Sequence, residues 1–168
     1  MYDMDLKFDR AKFDDVWRRV MPEAEEDRKE RRAVTAPEKD DISRLRDFMD
    51  DEAHDALLYS ALASLCRGRT RQTLFQIASD ERCHLRNLKA AYFIGTGEMY
   101  HPTDACPLIY AAADTLRGKY RDEKAGAAAY RAAAEKTTVK ELADTYLAHA
   151  EDESRHAKMI RCIIINMM

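Results

Sequence analysis

Four stretches of this chain carry core-type residues at alternating spacings of three and four, the pattern of helices that pack along one face. Only 5 of the 168 residues are glycine and 4 are proline, so little interrupts such helices. The alternating spacing suits shallow crossing angles between helices. The chain is therefore predicted to be all-α, with a four-helix bundle as its architecture. The predicted helices cover about Asp41–Arg67, Arg71–Ile94, Ala113–Lys136 and a stretch from Thr138 close to the end.

Six ionisable residues occupy the inward-facing lines of these helices, where apolar side chains are expected. Burying an unpaired carboxylate costs several kcal/mol, and the predicted lines contain no Arg or Lys; the third, for example, runs through Leu116, Tyr120 and Glu123. Solvent-facing positions or internal salt bridges are the alternative interpretation. Two divalent metal ions would supply four positive charges, which matches the four carboxylates, so the pattern favours a dinuclear metal site. The six predicted ligands are Glu52, Glu81, His84, Glu123, Glu153 and His156.

An internal repeat supports this prediction. A Glu-x-x-His motif puts a carboxylate and an imidazole one turn apart on one helix face, and it occurs at Glu81–His84 and Glu153–His156. In each half a glutamate is followed seven residues later by a tyrosine, at Glu52–Tyr59 and Glu123–Tyr130. A third copy, Glu98–His101, lies outside the helical lines and is interpreted as a chance match.

Depth along the bundle is consistent with one shared site. Residues equally far from the turn of an antiparallel hairpin lie at the same height. With turns near Gly68 and Thr137, the six predicted ligands differ in height by a few residues, at about 1.5 Å per residue. All six side chains can therefore meet in one layer.

The stretches that carry these residues resemble rubrerythrin-like proteins of the ferritin-like superfamily. The resemblance covers roughly residues 40–164 and rests on Glu52–Tyr59, Asp80–His84, Glu123–Tyr130 and Asp152–His156. It implies a ferritin-like bundle in which two antiparallel helix hairpins are joined by a crossover. It also implies two iron ions, with manganese or zinc as alternatives. Each Glu-x-x-His motif would serve chiefly one metal, and some glutamates would bridge both.

The resemblance also implies roles for residues around the ligands. Asp80 and Asp152 would hold the imidazole of the opposite motif in the right tautomer. Tyr59 and Tyr130 would flank the site, hydrogen-bonding a ligand carboxylate or donating an electron, although plain core packing is an equal alternative. His149 lies one turn before the second motif on the same face. It is predicted to be a core histidine or to support the ligands, with an extra metal ligand as the alternative interpretation.

The function implied is that of an oxidoreductase that reduces hydrogen peroxide or dioxygen with electrons from an external donor protein. Two features depart from typical rubrerythrins. Gly126 stands three residues after Glu123, where a further glutamate is usual. The four cysteines form no C-x-x-C pair, which excludes a rubredoxin domain. A non-enzymatic iron-binding or storage protein and a di-iron hydroxylase, which needs an apolar pocket beside the metals, remain alternatives.

The remaining sequence features bear on the N-terminal segment, on binding partners and on the cellular compartment. Residues 1–39 are predicted to form an N-terminal helical arm and linker, with Trp17 on an apolar stripe, before a bundle over residues 40–168. The net charge of −3, with both signs interspersed, argues against nucleic-acid binding. The charged first ten residues and the short apolar runs suggest neither a secretory signal nor a membrane span, so a cytoplasmic setting is expected. Separately, a homodimer is expected. Cys66 and Cys162 are expected to be buried thiols, and His54 to lie on the surface.

Overall fold

A computed structural model describes residues 37–103, 107–109 and 111–167 of the chain. Within these ranges all regular structure is α-helical, and the prediction of an all-α four-helix bundle is confirmed. The four helices are α1 (Lys39–Leu65), α2 (Gly68–Thr96), α3 (Ala112–Lys136) and α4 (Lys140–Asn166). Residues 1–36, which include almost all of the predicted arm and its Trp17 stripe, lie outside the described residues, as does Cys106.

Two short connections fold the helices into pairs. Only Cys66 and Arg67 separate α1 from α2, and only residues 137–139 separate α3 from α4. Gly68 begins α2 with a φ of 57°, a left-handed conformation that glycine adopts without steric cost. Because the connections are so short, consecutive helices reverse direction. Accordingly, α1 packs mainly on α2 and α3 packs mainly on α4.

The apolar core consists of two clusters with the ionisable layer between them. The first cluster joins the beginnings of α1 and α4 to the ends of α2 and α3, and it includes Leu45, Met49, Leu88, Tyr92, Ala133 and Leu142. The second joins the ends of α1 and α4 to the beginnings of α2 and α3, and it includes Leu58, Leu62, Leu74, Ile77, Leu116 and Ile160. The end of α2 and the beginning of α3 therefore lie in different clusters.

The inward face of α3 includes one residue that the predicted line did not contain. On α3, Lys119 is buried, at 8 % exposed, while Tyr120 is only half-buried. The expectation that no lysine lies on the inward lines is therefore wrong. The physical reason is an ion pair across the bundle: the Lys119 Nζ lies 2.6 Å from Asp55 Oδ2 on α1.

Two further surface features bear on the predictions. Cys162 is exposed rather than buried, because it lies on the face of α4 opposite the buried Ile160 and Ile163; Cys66 is half-buried. His54 is exposed, in agreement with its predicted surface position. Among the described helices, none has the length and apolar character that crossing a bilayer requires.

Candidate metal centre

The structure brings all six predicted ligands together in the layer between the two apolar clusters. Helices α1 and α3 each contribute one glutamate, and α2 and α4 each contribute one Glu-x-x-His motif, whose spacing places both side chains on the inner face. None of the six is more than 6 % exposed, so these ionisable side chains are as buried as the apolar core around them. The residues are Glu52, Glu81, His84, Glu123, Glu153 and His156.

Their side chains form two overlapping groups. Within each group, one ligand atom from every residue lies within 4.8 Å of the others. The first group is Glu52, Glu81, His84 and Glu153, and the second is Glu81, Glu123, Glu153 and His156. Glu81 and Glu153 belong to both groups. Each of the other four belongs to one of these two groups. The two groups could therefore each hold a metal ion, with two carboxylates common to both.

Glu81 shows how a carboxylate is shared. Its Oε2 lies 3.1 Å from the Nδ1 of His84, and its Oε1 lies 3.0 Å from the Nδ1 of His156. The two oxygens of one carboxylate therefore face the histidines of two different motifs. This is the placement that a bridging carboxylate requires.

The Nε2 of each histidine, which faces away from the glutamates, contacts an aspartate that precedes the opposite motif. The Nε2 of His84 lies 3.2 Å from Asp152 Oδ2, and the Nε2 of His156 lies 3.2 Å from Asp80 Oδ2. An Nε2–H that donates to a carboxylate leaves Nδ1 with a free lone pair. In both histidines Nδ1 is the nitrogen that faces the glutamates. Asp80 and Asp152 thus favour the tautomer that can bind a metal.

The two predicted tyrosines connect α1 and α3 in a reciprocal way. Tyr59 on α1 donates a hydrogen bond to Glu123 on α3, and Tyr130 on α3 donates one to Glu52 on α1. Burial, together with the neighbouring carboxylates, raises the pKa of both phenols well above the ordinary value. Both therefore remain protonated donors. Their part in electron transfer stays a prediction.

The carboxyl groups of the centre differ in how easily they ionise. Burial raises the pKa of Glu52 to about 8 and that of Glu153 to about 10. Burial also opposes ionisation of Glu81, but contacts with His156 and His84 outweigh it and lower the pKa of Glu81 well below its usual range. Burial likewise opposes the charge on His156, yet its contacts with the carboxylates raise its pKa to about 10. By itself, the protein balances its buried carboxylates with protons that metal ions can replace.

Unpartnered polar atoms test whether the site fits a metal. Glu81 Oε1, Glu123 Oε2 and His156 Nδ1 are buried without a hydrogen-bond partner. Each such atom costs about 1–3 kcal/mol. The 3.0 Å approach of Glu81 Oε1 to His156 Nδ1 is close but is not aligned as a hydrogen bond. Ligand atoms that converge in this way without other partners fit a shared cation, so the residues fit a dinuclear site of oxygen and nitrogen ligands.

His149 lies directly against this centre. Its ring stacks on that of His84 with a centroid distance of 4.1 Å and an interplanar angle of 28°. Burial and the charge of His84 lower the pKa of His149 to about 3, so its ring is neutral. One of its nitrogens also falls within 4.8 Å of ligand atoms of Glu52 and His84. The sequence indicated the face on which His149 lies but not this contact.

Lys119 and Asp55 are polar neighbours of the centre that the sequence analysis missed. The Lys119 Nζ lies 3.9 Å from Glu123 Oε1, in addition to its contact with Asp55. Burial raises the pKa of Asp55 to about 7, although Lys119 opposes this shift. Burial opposes the charge on Lys119, yet Asp55 and Glu123 raise its pKa to about 12. Lys119 therefore places a permanent positive charge beside one end of the centre. The available signal was its spacing, four residues before Glu123.

A cavity of about 650 Å³ lies between α1 and α3 and reaches the centre at Glu52 and Glu153. Gly126 forms part of its wall, and a Cβ at this position would lie 3.2 Å from Glu153 Oε2. The lack of a side chain at residue 126 therefore leaves Glu153 accessible from the cavity. The remaining lining is mixed, with Phe48, Leu58 and Ala129 as apolar members and Asp51, Asp55 and Lys119 as charged ones.

No protein-family model, no curated protein and no solved structure matches this chain. Within the described residues, each of the predicted site residues lies in the centre or contacts it. The third Glu-x-x-His copy does not: Glu98 and His101 are both exposed in the segment that follows α2. Its interpretation as a chance match agrees with this placement.

Proposed function

We propose that this chain is a rubrerythrin-like di-iron oxidoreductase of the ferritin-like superfamily, which reduces hydrogen peroxide or dioxygen with electrons from an external donor protein. The observation that carries the proposal is the pair of four-residue groups that share Glu81 and Glu153. Glu81 and Glu153, which are common to both groups, would hold two metal ions close together. Such a pair can deliver two electrons to one oxidant.

The arrangement of the helices supports the ferritin-like part of the proposal. In that fold one glutamate comes from each of two helices and a Glu-x-x-His motif from each of the other two. The two core clusters place the end of α2 and the beginning of α3 at opposite ends of the bundle. A crossover connection between the two hairpins is the topology that meets this requirement.

The reaction assigns distinct tasks to the residues of the centre. Two bound iron(II) ions would supply two electrons, which together with two protons convert one hydrogen peroxide into two waters. Asp80 and Asp152 orient the histidines. Tyr59 and Tyr130 hold one oxygen of Glu123 and of Glu52, and each phenol keeps its proton beside the centre. The cavity between α1 and α3 gives the oxidant a route to Glu153.

A second candidate function is oxygenation of a small organic substrate. The cavity volume of about 650 Å³ lies within the roughly 300–1,000 Å³ usual for small-molecule sites, and it exceeds what peroxide or dioxygen needs. Phe48 and Leu58 offer apolar surface, while Lys119 and Asp55 offer polar contacts. A substrate in this cavity would lie directly beside Glu52 and Glu153.

Anaerobic loading with iron(II) followed by peroxide tests the proposed reaction. The expected result is binding of two iron ions per chain and their rapid oxidation by one equivalent of peroxide, followed by absorbance in a stopped-flow instrument. Glu81→Ala should abolish both. Glu151→Ala, which changes an exposed glutamate of α4, is the matched control and should behave as the wild type. Bound iron that peroxide oxidises no faster than free iron would rule out the proposed reaction.

A further inference from the structure

The two halves of the centre match at every predicted ligand. They differ at the position four residues before the glutamate of each Glu-x-x-His motif. Glu153 is preceded at that distance by His149, whereas Glu81 is preceded by Ile77. Both residues are buried, at 2 % and 0 % exposed. The bundle therefore uses an apolar side chain at this position in one half and an imidazole in the other. This difference singles out the metal position nearest His149.

The ring of His149 is held in a defined orientation. It stacks on His84 at 4.1 Å and meets the ring of Tyr130 edge-on, with a centroid distance of 5.2 Å and an interplanar angle of 87°. Both neighbours belong to the centre: His84 is a predicted ligand, and Tyr130 hydrogen-bonds Glu52. The same packing brings a nitrogen of His149 within 4.8 Å of ligand atoms of Glu52 and His84.

The two nitrogens of His149 have different surroundings. Nε2 lies 3.4 Å from the side-chain nitrogen Nδ2 of Asn87, whereas Nδ1 is buried with no hydrogen-bond partner. A flip of the Asn87 amide exchanges its nitrogen and oxygen, and the oxygen then accepts from an Nε2–H and leaves the lone pair on Nδ1. Metal-binding histidines usually have their second nitrogen held in this way. Nδ1 is then the atom of His149 that is free to bind a cation.

We propose that His149 is a third imidazole ligand, bound to the metal position formed by Glu52 and His84. That position would have two imidazoles, whereas the position formed by Glu123 and His156 would have one. Imidazole favours iron, zinc and copper over manganese and magnesium. The two positions would therefore differ in affinity and in metal preference. The inference rests on the proposed function only in that the chain must bind a metal pair.

Cobalt(II) is a suitable probe because its visible absorption and its hyperfine-shifted proton signals report the ligands directly. Wild-type protein should bind two cobalt ions in two distinguishable steps and show signals from three imidazoles. His149→Phe keeps an aromatic ring stacked on His84 but removes both nitrogens. It should weaken one binding step at least about tenfold, a loss of the size known for changes around metal ligands. It should also remove one set of imidazole signals and leave the other step unchanged.

Tyr146→Phe is the matched control, because Tyr146 lies on the same face of α4 and its buried hydroxyl has no partner. It should leave both steps and all three imidazole signals intact. Wild-type signals from only two imidazoles, or a His149→Phe protein with unchanged binding, would overturn the inference. The number of imidazole signals in the wild-type protein tests the inference even if His149→Phe does not fold. Three imidazoles without peroxide reduction would instead overturn the proposed function alone, and wild-type protein that binds no cobalt would overturn both.

Discussion

Asp152 on α4 lies 3.2 Å from the Nε2 of His84 on α2, although its own motif supplies Glu153 and His156. Asp80 on α2 contacts His156 on α4 in the same way. Each motif thus positions the histidine of the other. The two hairpins are consequently coupled through the centre, and the orientation of either imidazole depends on how α2 and α4 are placed.

Removing one of these aspartate charges should weaken metal binding at one position. Asp152→Asn preserves size but removes the carboxylate that favours the Nε2–H tautomer of His84. We expect a loss of affinity of about 10- to 100-fold in one of two binding steps, measured by anaerobic titration with iron(II) or cobalt(II). Asp144→Asn changes an exposed aspartate of the same helix and is the control. Equal affinities in the two variants would contradict this role for Asp152.

The phenols should contribute similarly to stability because their contacts are reciprocal. Tyr59→Phe and Tyr130→Phe each remove the donor to one buried glutamate. Each should lower the free energy of unfolding by about 1–3 kcal/mol, the cost of an unsatisfied buried polar group. Urea denaturation in the presence of a chelator measures this change. Tyr146→Phe should cost little, since its buried hydroxyl has no partner to lose. A loss as large as that in Tyr59→Phe would show that removal of a packed oxygen atom, rather than loss of the hydrogen bond, accounts for the change.

The ligands could be predicted from the sequence because helix periodicity is local. Glu81 and His84 share a face whatever they pack against, and the repeat at Glu153 and His156 separates them from chance matches. The spacing of Lys119 placed it near the inward face but did not decide its burial, because successive residues of a helix point about 100° apart, and a small rotation decides whether Lys119 or Tyr120 faces inward. The partner that stabilises the buried Lys119, Asp55, lies 64 residues away in sequence.

The cavity and the environment of His149 were equally inaccessible from the sequence. The cavity depends on how far α1 and α3 stand apart. Its small lining residues, such as Gly126 and Ala129, are compatible with close helix approach as well as with a pocket. The stacking of His149 on His84 depends on the relative height of α2 and α4. Periodicity predicts the helix face on which a side chain lies, but it does not predict the distance from that side chain to a neighbouring helix.

The metal-free protein should lose stability as pH rises. In the fold Glu52 keeps its proton to about pH 8 and Glu153 to about pH 10, whereas an ordinary glutamate has a pKa of 4.5. His156 keeps its proton to about pH 10, compared with an ordinary value of 6.5. For each of these groups, between its ordinary pKa and its pKa in the fold, the folded state binds more protons than the unfolded chain. Stability therefore falls as pH increases through these ranges. The opposite shifts of Glu81 and His149 act only below pH 4.5 and below pH 6.5, respectively.

Thermal unfolding with a chelator present should therefore give a lower Tm at pH 9 than at pH 6. The metal-loaded protein should not show this decline, because metal ions replace the protons. Glu52→Gln cannot ionise and should flatten part of the slope in the metal-free protein. A Tm that rises from pH 6 to pH 9 in the chelator would contradict the raised pKa values of Glu52, Glu153 and His156.

Metal binding at pH 7 should release protons. Glu52, Glu153 and His156 hold protons at this pH, and each must lose its proton before it can bind a metal ion. Affinity should therefore increase with pH. Isothermal titration calorimetry in buffers of different ionisation enthalpy measures the number released, and we expect more than one proton per metal pair. Release of none would show that the site is already ionised without metal.

Two glycines of α3 offer a matched test of access to the centre. Both line the cavity, but a Cβ on Gly118 would have no atom within 4 Å, whereas a Cβ on Gly126 would lie 3.2 Å from Glu153 Oε2. Either change to alanine should gain about 0.5–1 kcal/mol of helix stability. Gly118→Ala should show this gain alone, with metal affinity and oxidation rate unchanged. Gly126→Ala must displace Glu153, a residue shared by both metal positions, so both binding steps should weaken. If the two variants bind iron(II) equally well in anaerobic titration, Glu153 tolerates the displacement, and the glycine is not needed to leave room for it.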